Sequence, residues 1–197
     1  MLFGVDPSVL ANCAGYYWSP QIGDPTLAGW LTVATYTICM ILACLVALRC
    51  RDRRERAFWI IVALAMLCLG INKQLDLQSL LTAAARCLSQ LQEWYDQRRQ
   101  IQLGFIIAIA AGAVLALGVA AWLMRRHLRR NGLALLGLAI VAAFVAIRAS
   151  GFHHVDSLIS RSALGVRFNV FFELSGLALI AVNAGALLAR PERQPAS

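Results

Sequence analysis

The run 57–78, AFWIIVALAMLCLGINKQLDLQ, decides how the chain is read. Fifteen strongly apolar residues, Ala57–Ile71, are followed without a break by Asn72, Lys73, Gln74 and Asp76. At 1.5 Å per residue, fifteen residues span roughly 22 Å, short of a hydrocarbon core of about 30 Å. A helix that crosses the membrane here must therefore continue, carrying Asn72–Asp76 into the lipid or to its edge. Lys73 is the only lysine of the chain. A charged residue at that depth is costly unless it is paired or faces a wet cavity, which makes the cluster a candidate site. Asn72, Lys73 and Asp76 can share one helical face. The simpler alternative is that Lys73 snorkels to the headgroups and pairs with Asp76.

Working outward, 60% of the 197 residues are hydrophobic and the mean hydropathy is +0.68. Soluble domains are about 45–50% apolar. The excess falls in five blocks, which predicts an all-α polytopic membrane protein, a single bundle over 1–197 with an outer tail at 1–26. The five transmembrane helices are expected at about 27–48, 57–77, 104–124, 132–147 and 168–188.

The net charge of +8 does not point to nucleic acid, because the arginines cluster beside apolar blocks, at 49–56 and 125–130. Short basic loops mark the cytoplasmic side of membrane proteins. The tail holds only Asp6 and Asp24 as charged residues. Together these predict an N-terminus outside, a C-terminus in the cytoplasm, and the inner membrane of a bacterium as the location. No secretory signal peptide is expected, since no positive segment precedes the first apolar block near Ala28. In the tail, Asp6-Pro7 and Asp24-Pro25 each have the form of a helix start, with Asp at the N-cap and Pro first in the helix.

On the outer side, apolar positions 77, 80, 81, 84, 88, 91, 94 and 95 keep helical spacing, which predicts an amphipathic surface helix between helices two and three. Helix three carries Gly104, Ala108, Gly112, Ala116 and Ala120, a stripe of small residues that permits close packing, within the bundle or against a second copy or another membrane protein. Helix five places Asn169 and Glu173 on one face, with Glu173 about one turn inside the membrane. A buried glutamate calls for a cation, and Lys73, Arg86 and Arg148 are the candidates on that side. Asn183 lies deeper and reads as a bridge between helices. Of six cysteines, only Cys13 and Cys87 fall outside, where an oxidising compartment could join them, although sequence supplies no distance.

The expected function is an outer-leaflet polar pocket, formed by Asn72, Lys73, Asp76, Arg86, Arg148, Asn169 and Glu173, that binds a membrane lipid head group or small amphiphile. One alternative is a metal-assisted lipid hydrolase or transferase with a divalent ion on His153, His154 and Asp156, since imidazole and carboxylate suit zinc or iron. Another is an accessory or assembly subunit whose polar cluster is structural. No cofactor motif is present: P-loop, Rossmann fingerprint and Cys-x-x-Cys are all missing. Glu173-Leu-Ser-Gly176 lacks the first glycine of the rhomboid Gly-x-Ser-Gly.

Overall fold

A computed structural model describes residues 6–17, 19, 22–75, 83–84, 87, 98–150, 162–163 and 166–189. In chain order these form α1 (Pro7–Tyr17), α2 (Leu27–Arg49), α3 (Arg53–Leu75), α4 (Arg98–Leu123), α5 (Leu128–Ser150) and α6 (Phe168–Leu188). A two-residue antiparallel pairing, Ser162–Ala163 with Val166–Arg167, precedes α6. Residues 83, 84 and 87 are helical; the remainder of the expected surface helix lies outside the described residues.

Among the described residues, four helices are long and apolar enough to cross a membrane: Leu27–Arg49, Arg53–Leu75, Leu128–Ile147 and Val170–Leu188. The chain is thus an integral membrane protein by the length and composition of its helices. In α4 the described apolar stretch is Ile107–Leu123, shorter than the roughly 20 residues of a full span. Large apolar side chains point away from the bundle all along these helices, among them Leu31, Ile38, Ile61, Leu64, Leu136 and Val182. In water such a surface would aggregate, whereas in lipid it is the solvated face.

Helix boundaries shift in physically interpretable ways. The second span begins at Arg53, four residues earlier than the apolar pattern predicts, because Asp52 caps it: its Oδ1 accepts from the backbone N–H of Arg54 (2.9 Å) and Glu55 (3.0 Å). Similarly, α5 begins at Leu128 rather than 132, and α4 at Arg98 rather than 104. Asp6 caps α1 as expected, accepting from the Ser8 N–H at 2.8 Å. At α2 the expectation is corrected: Thr26, not Asp24, is the N-cap, its hydroxyl accepting from Gly29 N–H at 3.1 Å. Asp24 instead accepts from the Thr26 hydroxyl and holds the cap in place.

Packing joins α2 to α3, α5 to α6, and α2 to α6, so α2 and α6 form the middle of the bundle. Trp59 and Met66 of α3, Tyr36 of α2, and Leu177 and Ile180 of α6 are wholly buried in the core. The α5–α6 crossing is closest at Gly137 and Gly176. A Cβ at Gly137 would lie 2.5 Å from the Gly176 carbonyl, and one at Gly176 would lie 2.7 Å from Val141 Cγ2. Only two glycines allow the backbones this close. Helix α4 packs on α5, and Gly104, Ala108, Gly112 and Ala116 of its small-residue stripe stay exposed.

Candidate functional site

The continuous α3 carries Asn72 and Lys73 in its last turn, as the count of apolar residues requires. Helix α6 brings Glu173 to the same level from across the bundle. Lys73 Nζ lies 2.9 Å from Glu173 Oε2, and the Tyr36 hydroxyl of α2 donates to Glu173 Oε1 at 3.0 Å. Both carboxylate oxygens therefore have a donor, one charged and one neutral. Lys73 is 8% exposed and Glu173 2%, so the pair is withdrawn into the protein and lacks the solvent screening of a surface salt bridge. Gly70 packs against Tyr36: a Cβ at residue 70 would stand 3.3 Å from Tyr36 Cβ.

The three polar groups open onto a narrow cleft lined by Leu69, Asn72, Phe144 and Val145. Asn72 is half-buried, and among the described residues its amide makes no hydrogen bond. Three helices thus contribute one ammonium, one carboxylate and one phenol, with the Asn72 amide at the wall. That set can bind a group of either charge, or a group that carries both.

Of the residues expected at this site, Asn72, Lys73 and Glu173 come together. Lys73 pairs with Glu173. Asn169 lies one turn before Glu173 in α6, and Arg148 in the last turn of α5, but their side chains fall outside the described residues. Asp76, Arg86, His153, His154 and Asp156 lie outside them altogether. Among the described residues, no three histidines, cysteines or acids gather closely enough to hold a metal. Tyr36 is an addition. Its signal in the sequence is a phenol in mid-helix, since a buried tyrosine hydroxyl needs a partner.

Cys13 and Cys87 are disulfide-bonded, with Cα atoms 6.0 Å apart. The bond ties α1 to residue 87, and Gly23 N–H donates to the Gln74 carbonyl at 2.8 Å, holding the N-terminal segment against the end of α3 beside Lys73.

A second buried network lies at the other end of the bundle. Glu55, 3% exposed, accepts through Oε1 from Asn131 Nδ2 (2.8 Å) and faces Arg130 Nε at 3.2 Å. Trp59 Nε1 donates to Asn131 Oδ1 at 3.0 Å. Asn183 does bridge helices: its Nδ2 donates to the Arg130 carbonyl and its Oδ1 accepts from Ala134 N–H, each at 2.8 Å. Nearby, the backbone N–H of Glu55 holds the Asp52 carboxyl below the usual carboxylate range, aided by the N–H of Arg54 and by His127. Burial pushes the Cys50 thiol up to about 11, with Glu55 adding to it.

No known protein family, curated protein or solved structure matches the chain.

Proposed function

We propose that the cleft at Tyr36, Asn72, Lys73 and Glu173 binds the polar head of a membrane lipid or small amphiphile at outer-leaflet depth. The observation that carries this reading is the Lys73–Glu173 pair, buried in a protein whose helices are built for lipid yet opening on a cleft that Asn72 also lines. A buried ion pair contributes little net stability against a well-packed apolar replacement. Intramembrane charges are more often found where a ligand, ion or substrate is handled. A head group bearing both charges can part the pair without stranding either charge, its anion meeting Lys73 and its cation Glu173. On this reading the protein has five spans, α4 included, with its N-terminus outside, in a bacterial inner membrane. The Cys13–Cys87 bond supports that orientation, since disulfides persist in oxidising compartments.

The test is lipid analysis of protein purified in mild detergent, comparing wild type with the double variant Lys73→Met/Glu173→Leu. A species retained by wild type and lost from an equally well-folded double variant is the expected result. Identical lipid content in the two would overturn the reading.

A further inference from the structure

The turns at 49–56 and 124–131 hold nine arginines against two acids, Asp52 and Glu55. The fold draws these two turns together through the Glu55–Arg130 contact and through Asp52 Oδ1, 3.8 Å from His127 Nε2. Both acids are thereby engaged, Glu55 inside the bundle and Asp52 on the α3 amides. Arg51, Arg53, Arg54, Arg126 and Arg129 remain exposed, and among the described residues none of the five makes a salt bridge.

Their position sharpens the demand for an anion. Helix N-termini carry partial positive charge and favour acids. Here Arg53 and Arg54 occupy the first turn of α3, and Arg129 and Arg130 that of α5. The arginines at the starts of α3 and α5 thus adjoin at one end of the bundle. Setting the orientation of a membrane protein requires basic loops, but it does not require those loops to meet. The turns cap helices of membrane-spanning length, which sets the face at headgroup level. Trp122, 63% exposed with the Arg125 guanidinium 5.3 Å over its ring, is the kind of aromatic that marks the membrane–water interface.

We propose that this joined arginine face is a binding surface for anionic phospholipid headgroups of the surrounding leaflet. It is a separate surface at the opposite end of the bundle from Lys73, and it does not depend on that cleft having a ligand. The shared chemistry is phosphate, and the membrane supplies it at this depth.

The experiment uses the full chain in nanodiscs and in detergent, with phosphatidylglycerol and phosphatidylcholine as probes and native mass spectrometry as readout. Wild type should retain phosphatidylglycerol at least tenfold over phosphatidylcholine, the scale expected when several arginines act together near a surface. The preference should shrink as salt is raised. In Arg53→Gln/Arg54→Gln/Arg126→Gln/Arg129→Gln it should fall toward unity, while melting in phosphatidylcholine stays at the wild-type value. Equal retention of the two lipids by wild type overturns the proposal, as does a preference unchanged in the variant. Stabilisation by inorganic phosphate alone, with none from phosphatidylglycerol, also overturns it, by making the face a site for soluble anions. Should the fourfold variant fail to insert, the two double variants, one on each turn, must each lower the preference for the proposal to stand.

Discussion

Two glutamates are buried in this bundle to nearly the same degree, Glu173 at one end and Glu55 at the other, but their surroundings differ. Glu173 meets a lysine that is itself buried, plus a phenol, and the group faces a cleft. Glu55 meets an arginine whose side chain is 48% exposed, and a fully buried asparagine that passes the contact on to Trp59. At the Glu55 end the cation keeps its water, and both partners of the carboxylate, Arg130 and Asn131, stand at the start of α5. At the Glu173 end both charges have given up water and, among the described residues, meet each other and Tyr36. The first arrangement is what stability asks for. The second is hard to justify by stability alone, and for that reason is the better candidate for function.

The contrast can be broken by mutation. Lys73→Met leaves the Glu173 charge buried and unpaired and should cost about 3–5 kcal/mol in a reversible unfolding assay. Adding Glu173→Leu should recover most of that loss. If the single variant loses less than the double, the pair is not the closed unit described above. Glu55→Gln is expected to cost less, about 1–2 kcal/mol, because Arg130 can turn to solvent and the amide still accepts from Asn131. A loss as large as that of Lys73→Met would erase the distinction between the two ends. Trp59→Phe removes one hydrogen bond from Asn131 and should cost about 1 kcal/mol.

The smallest effect is one of pH. Asp52 titrates below its unfolded value of about 3.9. Its contribution is therefore fully present above that value and is lost as pH falls through the lower folded one, where the unfolded chain takes up the proton first. Melting temperature measured from pH 6 downward should drop more steeply in wild type than in Asp52→Asn, whose amide keeps the cap but does not ionise. Parallel curves would remove Asp52 from the account of that end.

Much of this was legible in the sequence, and the illegible parts have reasons. The spans are readable because lipid imposes a length on apolar runs, and the same length forces α3 on through Asn72 and Lys73. That Glu173 needed a cation was also readable. Which cation it takes was not, since the partner is set by how α3 and α6 pack and not by either helix alone. The Glu55 network was hidden for a different reason. Glu55 stands among five arginines and Asn131 beside Arg130, so both read as solvated turn residues. Only the pairing of the two turns buries them. Gly176 was read against a protease motif, whereas the structure places it at the α5–α6 crossing, against Gly137.

The Cys13–Cys87 bond also constrains how the protein is made. A covalent bridge between these positions requires both on one side of the membrane, so the chain between them crosses an even number of times. The α2–α3 hairpin supplies two crossings. During synthesis α1 emerges before α2 and α3, yet its cysteine must wait until both spans are threaded and residue 87 arrives. The segment beside the Lys73 end is therefore built before the hairpin and fastened only after that hairpin is in place.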